Sequence, residues 1–187
     1  MKLVAGLGNP GPEYDGTRHN VGWWVVDRLS YEWKFGAFER EGPTLATRGV
    51  LGDREVLLVK PTTYMNRSGE ALRAWAEQEG HDLSSDLLVV VDDAALEVGR
   101  VRFRARGSAG GHNGLRSVES ELGTSEYPRL RVGVGLPPPG RRLKEWVLSD
   151  MSDEDEDVIV GLLPKLTDAI GAWVREGIEP TMNRFNR

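Results

Sequence analysis

Two histidines, each followed directly by an asparagine, are the residues of this sequence best suited to chemistry. His19 and Asn20 lie in the run TRHN, and His112 and Asn113 lie in the run GSAGGHNG. An imidazole changes its protonation state near neutral pH, so either ring is a candidate general acid or base. Asn20 is predicted to cap a helix, whose N-terminus would disfavour the charged form of His19 and keep that ring neutral, as a general base must be. A structural histidine and a metal ligand are the two alternatives. The residues around the two histidines indicate which of these roles applies: acid/base catalysis, a structural role or metal binding.

A carboxylate that could orient a histidine follows a strongly apolar segment. Leu87–Val91 predicts a strand buried on both faces, and Asp92 and Asp93 stand directly behind it. Asn9 follows the first predicted strand, Lys2–Leu7, in the same way. Open α/β sheets bind ligands at the carboxyl ends of their strands, so Asp92 and Asn9 are expected to share one edge. An Asp-Asp pair is more often only a solvated turn.

Three asparagines have similar positions in the predicted elements. Asn9, Asn66 and Asn113 each follow a strand or open a helix. A carboxamide donates and accepts hydrogen bonds at once, which suits holding a peptide unit or stabilising an oxyanion without a charge. Each asparagine alone is more often structural. Their shared placement favours a site.

The composition excludes several kinds of catalysis. The chain has no cysteine, so thiolate nucleophiles, disulfides and zinc–thiolate sites are absent. It also has no G-x-S-x-G motif for a nucleophilic serine. A hydrolase built on this sequence is therefore expected to use water activated by a base. No short ligand spacing such as H-x-x-x-H links the histidines, so neither a metal nor another cofactor is expected.

The run GLGNPG matches the dinucleotide-binding pattern G-x-G-x-x-G. That pattern requires a helix to begin at the turn, so that its N-terminus meets the pyrophosphate. Here Pro10 and Pro12 occupy the turn, and the next helix is predicted to begin near Asn20. Nucleotide binding is therefore disfavoured.

Strands and helices alternate along the chain, which predicts a single α/β domain over residues 1–187 around a mixed sheet. Ser68 is interpreted as the cap of a second helix, and Pro137–Gly140 as a rigid connector. The predicted strands are Lys2–Leu7, Thr44–Val50, Glu55–Lys60, Leu87–Val91, Arg100–Arg104 and Arg129–Gly135, and the later helices are Asn113–Leu122 and Asp153–Glu176.

Charge is distributed unevenly. The net charge is −5, yet residues 99–145 hold ten Lys and Arg residues against four Asp and Glu residues. Partner binding responds to such a local field. Arg104 and Arg131 lie on alternating strands and are expected to point outward onto one basic surface. No apolar run approaches the roughly 18 residues of a membrane span, so a cytoplasmic protein without membrane contact is expected.

Four motifs together resemble those of bacterial peptidyl-tRNA hydrolases. They are GLGNPGPEYDGTRHNVGW, KPTTYMNRSGEAL, VVVDD and GGHNGLRSVESELG, in this order and at these spacings. RLRVGVG and the late TMNRFN extend the resemblance to nearly the whole chain. It implies hydrolysis of the ester between a peptide and the 3′-terminal ribose of tRNA, recycling tRNA from abandoned translation. It also implies a metal-free monomer with a central mixed, twisted sheet flanked by helices.

The resemblance assigns roles to individual residues. His19 matches the catalytic histidine and Asp92 its partner, and three asparagines that hold the substrate match Asn9, Asn66 and Asn113. For ester hydrolysis by this set, Asn9 or Asn113 would donate to the oxyanion and Asn66 would hold the peptide backbone. The remaining matches are His112, Tyr14 and Met65 in the substrate cleft, and Arg104, Arg131 and Arg116 on the tRNA phosphates.

This sequence departs from the family pattern in places. Ala94 and Ala95 interrupt the acidic turn that the family usually continues after Asp92, and Ser108-Ala109 interrupts a glycine-rich stretch. A non-catalytic RNA-binding relative is the main alternative function, although it would not need His19, Asp92 and the asparagines. A dinucleotide-dependent oxidoreductase is the other alternative, disfavoured by the prolines in GLGNPG.

Overall fold

A mixed β-sheet of seven strands forms the centre of the computed structural model, which describes residues 1–186. The strands lie in the order β2-β3-β4-β1-β5-β7-β6. Pairs β1–β4, β1–β5 and β5–β7 are parallel, while pairs β2–β3, β3–β4 and β6–β7 are antiparallel. The strand bounds are β1 Lys2–Gly6, β2 Glu39–Glu41, β3 Thr44–Leu51, β4 Arg54–Pro61, β5 Leu87–Asp93, β6 Val101–Arg104 and β7 Arg129–Gly133.

Helices cover both faces of the sheet, as the α/β class requires. Helices α1 and α6 pack on one face, and α2 and α4 pack on the other. Among residues 1–186, no helix is long and apolar enough to cross a membrane. The bounds are α1 Val21–Glu32, α2 Ser68–Ala76, α3 Leu83–Asp86, α4 Asn113–Leu122, α5 Leu143–Val147, α6 Asp153–Glu176 and α7 Ile178–Phe185.

Strand β5 is buried on both faces, as its continuous apolar sequence predicted. Leu88 and Val90 belong to the core beneath α1 and α6, while Leu87, Val89 and Val91 belong to the core beneath α2 and α4. This alternation follows from the two-residue period of a strand. Because β1 and β7 flank it in parallel, the carboxyl end of β5 lies at an edge where several strand ends meet.

Close packing of α1 on the sheet fixes the segment that precedes this helix. A Cβ atom at Gly22 would lie 2.6 Å from the Val90 carbonyl oxygen and 2.7 Å from the Leu7 nitrogen. Any larger residue would therefore push the helix off the strands. The contact holds the start of α1, and with it His19 and Asn20, against the ends of β1 and β5.

Four short elements were not predicted from the sequence: β2, α3, α5 and α7. Strand β2 is fully exposed and has three residues, too few for a periodic pattern. Helix α5 follows the connector Pro137–Gly140, and only Val147 among its residues is buried.

Two predicted helix caps were also wrong in detail. Asn20 precedes α1 but makes no side-chain cap bond, because its carboxamide binds Asn9. Ser68 is the first residue of α2, and its hydroxyl donates to the Met65 carbonyl oxygen over 2.8 Å.

Candidate active site

A cleft of roughly 640 Å³ opens at the carboxyl ends of β1, β4 and β5. It contains nine of the eleven site residues proposed from the sequence. Arg104 and Arg116 lie outside its lining. The nine residues are Asn9, Tyr14, His19, Met65, Asn66, Asp92, His112, Asn113 and Arg131.

His19 and Asp92 form a buried hydrogen-bonded pair at the base of the cleft. The Nδ1 atom of His19 lies 2.9 Å from both carboxylate oxygens of Asp92. Asp92 is 2% exposed and His19 is 8% exposed. Because an ionised carboxylate can only accept, Nδ1 carries the proton and donates it. The other ring nitrogen, Nε2, is then free to accept a proton from a molecule in the cleft.

The pKa values of this pair move apart. Burial lowers the pKa of His19, but the charge of Asp92 and its hydrogen bond raise it more, so the net pKa lies above the ordinary value of a histidine. The sequence-based expectation that a helix N-terminus would hold this pKa down was wrong, since the carboxylate dominates. Burial raises the pKa of Asp92, but the two histidines outweigh it and keep this pKa far below its ordinary value. Asp92 is therefore ionised at neutral pH.

His112 is a second hydrogen-bond donor to Asp92. Its Nε2 atom lies 2.8 Å from Oδ1 of the carboxylate. Its Nδ1 atom accepts from the backbone nitrogens of Gly114 at 3.1 Å and Leu115 at 3.3 Å, which caps the N-terminus of α4. Since Nδ1 accepts, the ring proton of the neutral imidazole must sit on Nε2. The start of α4 thus fixes the His112 tautomer that donates to Asp92.

The same three residues form a group that could in principle ligate a metal ion. Candidate ligand atoms of His19, Asp92 and His112 all lie within 4.8 Å of one another. A cation bound to Nε2 of His112 would require the ring proton to move to Nδ1. There it would face the N–H groups of Gly114 and Leu115. The capping bonds therefore oppose metal binding at this ring and favour the hydrogen-bonded arrangement.

Asn9 is held so that its amide group faces the cleft. Its Oδ1 atom accepts a 2.7 Å hydrogen bond from the backbone nitrogen of Met65. Its own backbone N–H and carbonyl each bind the Asn20 side chain at 2.9 Å. Because Oδ1 is engaged by an N–H donor, the side-chain NH₂ group of Asn9 is the part left for a ligand. This orientation suits a donor to an oxyanion.

Asn20 positions a residue of the candidate site, and this role was not predicted from the sequence. It was predicted only as a helix cap, yet its carboxamide pairs with both backbone groups of Asn9. The position of Asn20 directly after His19 in the sequence was the feature that could have indicated this role. One chain segment thus supplies the imidazole and the residue that orients Asn9.

The substrate-binding candidates line the more open part of the cleft. Asn66 and Asn113 are exposed, so both carboxamides are accessible to a ligand. Tyr14 lies edge-on to Tyr64, with ring centroids 6.5 Å apart. Met65 is buried and supports the floor of the cleft.

The opposite wall of the cleft was not predicted from the sequence. It is formed by the segment around α5, which includes the exposed Leu136 and Leu143 together with Lys144 and Val147. Trp146 anchors the segment, because its ring lies 3.4 Å from the guanidinium carbon of Arg18. The closely spaced apolar residues after Pro139 could have predicted that this segment packs against the rest of the protein.

The three arginines assigned to tRNA differ in their surroundings. Arg104 on β6 and Arg116 on α4 are exposed. The Arg131 side chain is only 15% exposed, and its Nη2 atom donates to the Ser108 carbonyl oxygen at 3.0 Å. The expectation that Arg131 points freely to solvent was therefore wrong, because the loop before His112 folds against it.

These features define a class of enzyme. A buried carboxylate orients an imidazole whose free nitrogen faces a cleft lined by carboxamides. The chain has no cysteine, and no hydroxyl among residues 1–186 is bonded to His19, so this arrangement suits hydrolysis by activated water.

Comparisons with known proteins identify the family. The sequence model described as "Peptidyl-tRNA hydrolase" matches residues 3–187. The peptidyl-tRNA hydrolase of Gemmatimonas aurantiaca is 45% identical over 191 residues, covering 100% of both chains, and that of Bacillus subtilis is 42% identical over 186 residues, covering 100% of this chain and 98% of the relative. The crystal structure of peptidyl-tRNA hydrolase from Acinetobacter baumannii superimposes with a TM-score of 0.92 at 29% identity, covering 100% of this chain and 94% of that one. The chain belongs to the peptidyl-tRNA hydrolase family.

Proposed function

We propose that this enzyme hydrolyses the ester between a peptide and the 3′-terminal ribose of tRNA, using a water molecule activated by His19. Family membership supports the reaction. The observation that carries the mechanism is the 2.9 Å hydrogen bond from His19 Nδ1 to Asp92 at the base of the cleft. It leaves Nε2 as the base that faces the substrate.

The proposed reaction begins with proton transfer. Nε2 of His19 takes a proton from water as the oxygen attacks the ester carbonyl carbon, and the positive charge that develops on the ring is stabilised by Asp92. The tetrahedral intermediate then collapses with cleavage of the bond to the ribose oxygen. The imidazolium returns its proton to that oxygen, which releases the tRNA hydroxyl and the peptide carboxylic acid, and the acid then loses its proton to solvent. His112 shares the Asp92 carboxylate and keeps it in place.

The three asparagines are proposed to stabilise the oxyanion and to bind the peptide. Asn9 is the proposed oxyanion donor, because its Oδ1 is already engaged by Met65 and its NH₂ group faces the cleft. Asn66 and Asn113 are exposed at the cleft and hold the peptide backbone, with Tyr14 and Met65 lining the same region. Backbone recognition would make the enzyme tolerant of peptide sequence, since every peptide presents the same amide groups.

A direct assay tests the proposed activity. The purified protein is incubated with N-acetylaminoacyl-tRNA and, separately, with aminoacyl-tRNA whose amine is free. Release of the N-blocked group supports the proposal. A protein that binds tRNA but releases no acyl group would instead be an RNA-binding relative.

Asn9→Asp tests the oxyanion assignment without disturbing the packing. The aspartate keeps an oxygen to accept from the Met65 N–H but loses the NH₂ donor. We expect kcat to fall by roughly 10²–10³-fold, the usual effect of removing one oxyanion donor. As a control, Asn66→Ala should raise KM and leave kcat nearly unchanged. An Asn9→Asp enzyme with wild-type kcat would contradict the assignment.

Kinetics on substrates of different length can distinguish the role of Arg104 from that of Arg131. Arg104 is exposed and outside the cleft, so Arg104→Ala should raise KM for full-length substrate only. It should also flatten the slope of log affinity against log salt by about 0.7–0.9, the contribution of one phosphate contact. Arg131→Ala should also slow hydrolysis of a minimal ester, because Arg131 holds the Ser108 carbonyl. Equal losses on both substrates for Arg104→Ala would show that Arg104 supports the fold.

We further propose that the enzyme acts as a monomer in the cytoplasm on peptidyl-tRNA. A single chain supplies His19, Asp92 and all three asparagines, so the proposed site needs no second copy. Arg116 lies beside Asn113, to whose Oδ1 atom it donates at 3.2 Å, and could reach both the tRNA and the peptide end of the substrate.

A further inference from the structure

A completely buried arginine lies beneath the loop that carries His112. Arg129, the first residue of β7, has 0% exposure. Arg104 is paired with Arg129 on the adjacent strand β6. Its side chain lies on the same face of the sheet and is exposed. An alternating basic strand would place both side chains in solvent. The segment between β6 and α4 covers Arg129 instead, so this guanidinium is inaccessible to a phosphate.

The Arg129 guanidinium is bound almost entirely to backbone carbonyl oxygens. Its Nη2 donates to Ser125 at 2.8 Å and to Tyr127 at 3.3 Å, and its Nη1 donates to Ser108 at 3.3 Å. Glu119 on α4 provides the counter-charge, 3.6 Å from Nη1. A buried charge is costly unless it is paired and hydrogen-bonded, so these contacts depend on one another. Arg129 thereby ties β7, α4 and the loop together.

The anchored loop leads directly to the catalytic carboxylate. The Ser108 carbonyl oxygen accepts from both Arg129 and Arg131. The next residue, Ala109, accepts from the backbone nitrogen of His112 at 3.1 Å. His112 then donates to Asp92 at 2.8 Å. Gly110 and Gly111 between them have φ angles of 60° and 83°, so the chain turns sharply over this short distance.

We propose that Arg129 is a positioning residue for catalysis, which holds the Ser108 carbonyl and through it sets His112 against Asp92. The proposal rests on the proposed function, in which Asp92 orients the His19 base. Arg129 touches neither substrate nor reacting atoms. Its effect is on the rate of the chemical step and not on the affinity for tRNA.

Arg129→Met tests the proposal on a minimal N-acetylaminoacyl ester that lacks the tRNA body. We expect kcat to fall by about tenfold to a hundredfold, since a small misplacement of a catalytic group has effects of this size. KM for full-length substrate and its salt dependence should stay at wild-type values. Arg106→Met is the matched control, because Arg106 lies at the exposed start of the same loop and pairs only with Glu126 at 3.2 Å. Its kcat on the minimal ester should be unchanged.

A double-mutant cycle with His112→Ala distinguishes positioning from general destabilisation. If Arg129 acts through His112, Arg129→Met should cost little further activity once His112 is removed, because effects within one unit are not additive. Multiplied losses in the double variant would overturn the proposal. Wild-type turnover of His112→Ala alone would also overturn the proposal, because Arg129 is proposed to act through His112, and it would leave the reaction itself in place.

Two further measurements keep the test decisive. In ¹⁵N NMR spectra of the imidazoles, the wild-type enzyme should show His112 with its proton on Nε2, and Arg129→Met should lose that signature. Should Arg129→Met fail to fold, Arg129→Lys retains the charge beside Glu119 but cannot reach all the carbonyls. It should fold and show an intermediate kcat. A lysine variant with wild-type kcat and an unchanged His112 spectrum would overturn the proposal.

Discussion

Replacing His19 with alanine is expected to lower kcat for N-acetylaminoacyl-tRNA by roughly 10²–10⁴-fold, the usual contribution of a general base. Affinity for tRNA should stay near the wild-type value, because His19 is 8% exposed at the base of the cleft while Arg104 and Arg116 lie outside it. The measurement is single-turnover release of the acyl group, with tRNA binding determined separately. The binding measurement separates loss of chemistry from loss of substrate.

The third histidine of the chain provides the control. His81 stacks on Trp75 with ring centroids 4.2 Å apart and is absent from the cleft lining. His81→Ala should retain wild-type turnover. If His19→Ala retains it as well, the base assignment is wrong and another group must activate water.

Asp92→Asn is expected to have a comparable effect, with kcat lower by roughly 10²–10⁴-fold and the fold intact. Two imidazoles donate to this carboxylate, and His19 Nδ1 lies 2.9 Å from both oxygens. A carboxamide places an NH₂ group at one of those positions. This NH₂ group would donate to Nδ1 of His19 and so favour the tautomer that carries its proton on Nε2. In that tautomer Nε2 cannot accept a proton from water.

Asp93→Asn is the matched control for this variant. The Oδ1 atom of Asp93 accepts from the backbone nitrogen of Ala95 at 2.8 Å, and an asparagine can keep that bond. Asp93 also lines the cleft, and its Oδ2 atom lies 3.9 Å from Nη1 of Arg131, a long contact whose loss should matter little. We expect Asp93→Asn to lower kcat far less than Asp92→Asn does. Similar large losses for both variants would indicate that the turn, and not the Asp92 charge, is what the reaction needs.

Much of the site could be predicted from the sequence because its residues follow strand ends. The apolar run Leu87–Val91 predicts a buried strand, and the parallel order of β1 and β5 brings Asp92 and Asn9 to one edge. The family resemblance then indicated His19. These predictions depend on strong local patterns, and the structure places all three residues in one cleft.

The parts that the sequence could not reveal depend on contacts distant along the chain. The alternation of β7 suggested that Arg131 faces solvent, but the strand pattern carries no information about the loop that covers both Arg129 and Arg131. Asn20 follows the rule for a helix cap, yet its carboxamide binds Asn9 eleven positions earlier. The raised pKa of His19 likewise depends on Asp92, which the sequence places seventy-three positions away.

The dependence of kcat on pH, in wild type and in Asp92→Asn, tests the proposed base most directly. His19 must be neutral to accept a proton, and Asp92 raises its pKa above the ordinary value of a histidine. Wild-type kcat should therefore fall as the pH drops through a midpoint above that ordinary value. In Asp92→Asn the residual kcat should fall at a lower pH, because the charge that raised the pKa is gone. Ester hydrolysis without enzyme is subtracted at each pH. An identical midpoint in both enzymes, or a wild-type kcat independent of pH between 5 and 8, would contradict the account.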